Sequence, residues 1–191
     1  MTSEELEQRL YAERMDKTKI DSLVVQLLEF PELVGNLLNA TLKQDKSKEN
    51  FNACWALEHL MRKRLDYLLP HIDRLIALLP QITWESSIRP IARILEALNE
   101  AFFIKKEATF ISSITLEHQE IMTEVCFDWL IGEHKVATKV FAMTSLFYLG
   151  ERFQWIRPEL KSVLELQIID GTAGFKNRGT KTLSLLKELG V

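Results

Sequence analysis

Residues 87–103 read SIRPIARILEALNEAFF, and in this stretch Ile88, Ile91, Leu95, Leu98 and Phe102 recur every three or four positions. That spacing puts five apolar side chains on one stripe of an α-helix and the charged residues on the other faces. The same text further on, Val136, Val140, Met143 and Phe147, predicts a second helix of the same kind. Leu95, Phe102, Val140 and Phe147 are expected to be nearly fully buried. Helical periodicity continues over almost all of the 191 residues, and strand alternation is found nowhere. Pro31, Pro90 and Pro158 fall where first turns are expected, the positions at which a missing N–H costs least. Six of the seven glycines lie near expected helix ends, Gly35 being the exception. Residues 105–115 are the longest stretch without periodicity and are expected to be an enlarged loop. The fold class is all-α.

Four segments repeat one plan: ENFNACWALEHL (49–60), SIRPIARILEAL (87–98), HKVATKVFAMTSL (134–146) and TAGFKNRGTKTLSLL (172–186). Each has a polar turn, a polar or basic residue, a small residue and then a long apolar stripe. Aligning Ala56, Arg93, Lys139 and Arg178 gives spacings of 37, 46 and 39 residues. Another amphipathic helix precedes each segment, at 31–43, 66–79, 116–131 and 158–169. Helix pairs at this interval predict an α-α superhelix. Residues 1–191 then form a single repeat domain of about five pairs and ten helices. A capping pair occupies 1–29 (helices near 3–14 and 17–29), and four pairs follow in 30–191.

Arg89-Pro-Ile-Ala-Arg93-Ile resembles the second helix of HEAT and armadillo units. The runs NACWALEHL, SIRPIARILEAL, CFDWLI and PELKSVLELQ resemble a family of small bacterial helical-repeat proteins often labelled adenylosuccinate lyase. The resemblance runs from about residue 17 onward and implies an α-solenoid. It does not carry the lyase chemistry over. The lyases themselves resemble one another at a Ser-Ser-x-Met-Pro loop, whereas Ser86-Ser87 and Ser112-Ser113 are followed here by Ile-Arg-Pro and Ile-Thr-Leu. Function has to be argued from a site, and that site is absent from the text.

Other enzyme signatures fail in the same way. Gly174-Phe-Lys-Asn-Arg-Gly179-Thr-Lys181 has Thr180 where a phosphate loop requires lysine, and no strand leads into it. His59, His71, His118 and His134 are scattered without metal-ligand spacing, so no metal or cofactor is expected. Cys54 and Cys126, 72 residues apart in apolar helical text, read as buried thiols in a reducing compartment. Trp55, Trp84, Trp129 and Trp155 invite comparison with HEAT-like DNA alkylation-repair glycosylases, which are similar in plan. Only Trp55 falls on a second helix, and core packing is the ordinary use of such side chains. MTSEELEQRL at the start is acidic and amphipathic, without a signal core. No apolar run approaches membrane-spanning length, so the expected address is cytoplasmic, with no membrane partner.

Charge is where the sequence departs from an ordinary helical domain. The chain carries −3 in total. The four second helices (50–64, 87–106, 134–152, 173–189) nevertheless sum to +9, and the four preceding helices (30–46, 65–81, 115–133, 155–171) to −7. Second helices line the concave face of such arrays. The expectation is therefore a non-catalytic scaffold that binds an acidic protein or peptide through Arg89, Arg93, Lys135, Lys139, Lys176, Arg178 and Lys181. The second reading is a nucleic-acid-binding or repair-like protein using the same residues, and the third a small-molecule enzyme.

Overall fold

The computed structural model describes residues 1–43 and 47–191, and it is all-helical, with no strand among the described residues. Eleven α-helices are described. They are α1 (Ser3–Ala12), α2 (Lys17–Leu27), α3 (Val34–Thr41), α4 (Lys48–Met61), α5 (Ile72–Leu78), α6 (Glu85–Asn99), α7 (Ala108–Ser113), α8 (Leu116–Ile131), α9 (Val136–Leu149), α10 (Ile156–Ile168) and α11 (Ala173–Glu188). No helix among the described residues is long and apolar enough to cross a membrane. The chain divides into two compact units, Met1–Ile94 and Leu95–Val191, with the boundary inside α6.

In the first unit α4 is the central element, packed against α1, α2 and α3. Its side chains Ala53, Ala56, Leu57 and Leu60 are fully buried. Two asparagines of α4 finish the helices around it. Asn52, wholly buried, donates from Nδ2 to the carbonyls of Leu10 and Glu13, and its Oδ1 accepts the Met15 N–H at 2.9 Å. Asn50 donates in the same way to the carbonyls of Ala40 and Thr41. The last carbonyls of a helix have no partner within it. Here α4 supplies those partners for α1 and α3, which locks the three helices together with directional bonds as well as apolar contact.

In the second unit α9 packs against α8, α10 and α11, and α10 packs on α11. Expected burial along α9 is corrected here. Val140 and Phe147 are only half-buried, as is Val136. The buried stripe is instead Thr138, Ala142, Ser145 and Leu149, with Met143 and Leu146 beside it. Helices meet on three sides of α9, so the closest approach falls on its small side chains rather than on its largest ones. Ser145 lies buried beside the Cys126 thiol of α8.

A second correction concerns Phe102. Leu95 is fully buried, but Phe102 is half-buried and Phe103 takes its place at 5% exposure. Residues Glu100–Ile104 form a π-turn, with the Lys105 N–H bonded to the Glu100 carbonyl five residues back. One extra residue in the turn rotates the stripe by about one position. Lys106, at φ +53°, then ends the helix in the left-handed region.

Three further expectations are revised. The predicted loop at 105–115 contains the short helix α7, which makes eleven helices rather than ten. Pro90 is inside α6 and not in its first turn, because the helix begins earlier, at Glu85. Gly179 lies in the middle of α11, where a Cβ would stand 2.9 Å from Ile168 of α10, so its lack of a side chain allows close helix contact.

Candidate functional site

The seven basic residues separate into two environments. Arg89 is structural: its guanidinium reaches Glu58 Oε2 at 2.8 Å, and Glu58 is only 1% exposed. Arg62 takes the other carboxylate oxygen. A buried carboxylate is tolerated only when paired and hydrogen-bonded, and Arg89 is half of that pairing. Arg93, one turn further along α6, is half-buried and engaged in an interaction as well.

Lys135, Lys139, Lys176, Arg178 and Lys181 belong to the second unit. Lys135 is exposed at the start of α9 and takes part in an interaction. Lys139, Lys176, Arg178 and Lys181 have no ion-pair partner among the described residues. Lys176, Arg178 and Lys181 are exposed along α11, and Lys139 is half-buried. Arg178 and Lys181 are three apart and share one edge of α11 with Gly174. A Cβ on Gly174 would meet Val136 at 3.4 Å, so that edge is the one beside α9. Lys176, two residues before Arg178, points to a different edge.

Lys139 lines a cavity of about 490 Å³ that sequence reasoning did not find. The other lining residues come from the approach to α9 and its first turn (His134, Val136), the end of α10 (Leu166, Gln167, Asp170) and the start of α11 (Gly171, Thr172, Phe175). Its walls are held by ordinary local rules. Thr172 caps α11 by accepting the Phe175 N–H, and Phe175, 3% exposed, packs under Gly171. Leu166 and Ile169, at 73% and 70% exposure, stand uncovered at the end of α10. No sequence signal marks the cavity, because the α10–α11 corner meets there with the start of α9, which lies well before it in the chain.

Neither cysteine lines this cavity. The Cys54 thiol, 2% exposed, is pushed up by burial to about 11, and the fully buried Cys126 to about 12. Both remain protonated, and a protonated thiol is a poor nucleophile. An Asp–His pair does exist: His59 Nδ1 lies 3.1 Å from Asp21 Oδ1. However, the Trp55 indole N–H donates to His59 Nε2 at 2.9 Å, so the nitrogen a general base would use is already occupied. Lys17 and then His59 hold the Asp21 carboxyl below its ordinary value. Trp55 also stacks edge-on between Phe51 and His59, Trp129 is buried, and Trp155 lies over Phe127 with ring centroids 5.6 Å apart. His118 closes a capping box with Thr115 at the start of α8. Among the described residues, no three His, Cys, Asp or Glu side chains gather to hold a metal.

No protein-family model, curated protein or solved structure matches the chain.

Proposed function

We propose that this chain is a non-catalytic α-solenoid of the HEAT-like kind, an interaction scaffold whose second unit binds an acidic protein or peptide segment. The observation that carries the reading is the contrast between two sets of basic residues. Arg89 is spent on neutralising buried Glu58, whereas Lys139, Lys176, Arg178 and Lys181 have no acid of their own among the described residues. Unpaired cations held at fixed positions on rigid helices keep their field available to an outside anion. The helix pairs α8–α9 and α10–α11, packed in sequence along the chain, support the solenoid reading. Protonated buried thiols and an occupied imidazole support a non-catalytic role.

Titration of the full chain with a fluorescent oligoglutamate tests the proposal. Binding should weaken between about 50 mM and about 300 mM salt, as screening shortens the reach of exposed charge. The double substitution R178E/K181E should lower affinity further without altering the helical circular-dichroism spectrum. Binding that ignores both salt and this variant would remove the basis of the proposal. A preference for single-stranded RNA over the acidic peptide at equal charge would transfer the site to the nucleic-acid reading.

A further inference from the structure

The cavity beside Lys139 combines two chemistries. Phe175, Val136 and Leu166 give it an apolar lining, and Leu166 and Ile169 extend that apolar surface into solvent just outside. Uncovered leucine and isoleucine at more than two-thirds exposure gain nothing from water, and adjacent apolar surface of this kind marks places where another chain settles. Lys139, without an ion-pair partner among the described residues, contributes a positive charge at the wall. The first turn of α9 opens here with no side-chain cap, so its dipole adds to the same sign. Asp170 is the single acid in the lining.

We infer that this cavity is the anchor pocket of the acidic-segment site, seating one apolar side chain of the partner while Lys139 pairs with a flanking carboxylate. The inference rests on the acidic-partner reading and adds to it the requirement for an apolar anchor. The occupant is defined by complementarity. A purely acidic segment would leave Leu166 and Ile169 uncovered, and a purely apolar one would have to desolvate Lys139 without an acid to pair it. A cavity of this size accepts a leucine or phenylalanine side chain with room for its neighbours. Interfaces of this type draw most of their affinity from one such buried anchor surrounded by polar contacts.

The test uses the full chain and two capped, fluorescein-labelled peptides. One has glutamates flanking a central leucine, and the other replaces that leucine by alanine. The leucine peptide is expected to bind about tenfold tighter, the order of effect that burying the additional carbons produces. In heteronuclear NMR it should shift the amides of Val136, Lys139, Leu166 and Phe175. K139E should weaken it about tenfold, and L166A, at a position too exposed to matter for folding, about threefold. Unchanged thermal melts for both variants would keep a folding defect from imitating these losses. Equal affinity for the two peptides, or shifts confined to Arg178 and Lys181, would overturn the anchor pocket and leave the acidic-segment reading standing. If neither peptide binds, both fall. If an oligouridylate shifts the pocket amides and the leucine peptide does not, the pocket belongs to a different ligand and the inference is wrong.

Discussion

Replacing Phe102 and Phe103 separately by alanine tests the turn that joins α6 to the segment beyond it. A straight α-helix would put Phe102 on the buried stripe after Leu98. The π-turn at Glu100–Ile104 puts Phe103 there instead, at 5% exposure. Phe103→Ala removes a buried ring and leaves a cavity, so it should cost about 3–5 kcal/mol. Phe102 is half-buried, and its removal loses roughly half the area with little cavity, about 1–2 kcal/mol. The two rings meet at 4.7 Å between centroids and 59° between planes. Their mutual term of about 0.5–1.5 kcal/mol enters both single variants equally and emerges as coupling in the double variant. Urea unfolding followed by both tryptophan fluorescence and circular dichroism measures these costs. Coincidence of the two signals is required first, because a chain with two compact units need not unfold in one step. A cost for Phe102→Ala equal to or above that for Phe103→Ala would mean that the helix runs straight and that the π-turn is wrong.

Other perturbations address the remaining elements. Asn52→Ala strips three hydrogen bonds from a wholly buried site and should destabilise the chain by about 2–4 kcal/mol in the same urea assay. Arg89→Ala should cost about 1–3 kcal/mol, less than the about 3–5 typical of stripping a buried charge, because Arg62 still serves Glu58. Both thiols should resist iodoacetamide in the native chain at neutral pH and react on unfolding, as mass spectrometry would record. Their raised values also fix a sign: the folded chain keeps both protons where the unfolded chain begins to lose them near about pH 8.5, so stability should decline as pH rises above that point. Lys106→Gly should stabilise by about 0.5–1 kcal/mol, since glycine adopts φ +53° without the Cβ penalty.

Much of the fold was legible because it depends on local text. The stripe of α6 as far as Leu98 and the boundaries of α1, α2 and α8 follow from spacing and end residues that lie a few positions apart. Residues 108–113 were less legible, since ATFISS is too short to establish a period, and α7 emerged only in the structure. Phe102 was misplaced because hydrophobic spacing assumes a constant rise, and a π-turn breaks that assumption without leaving a composition signal. The stripe of α9 was misplaced because apolar spacing alone was taken to mark the buried face. On a helix touched from several sides, Ala142 and Ser145 mark the tightest contact. The roles of Asn50 and Asn52 depend on helix ends up to 42 residues away, which no local pattern reports.

The candidate site shows why counting charge by helix goes only part of the way. The sum over second helices treats Arg89 and Arg178 as equivalent, yet one lies 2.8 Å from a carboxylate at 1% exposure and the other is solvated on α11. The energetic consequences are opposite. Removing the first leaves a buried acid with half of its pairing, and removing the second breaks no ion pair of the fold among the described residues. Of the seven basic positions, the proposed partner contacts are therefore those whose loss the fold should tolerate. Lys139→Met is the sharpest case, because it keeps the length of the side chain at the cavity wall while deleting its charge. It should leave stability within about 0.5 kcal/mol of the parent, as substitutions away from buried networks do. The same change should flatten the salt dependence of acidic-peptide binding, measured by anisotropy across a salt series. A variant that loses stability but keeps its salt dependence would place Lys139 with Arg89 as a structural residue and leave Arg178 and Lys181 to carry the site alone.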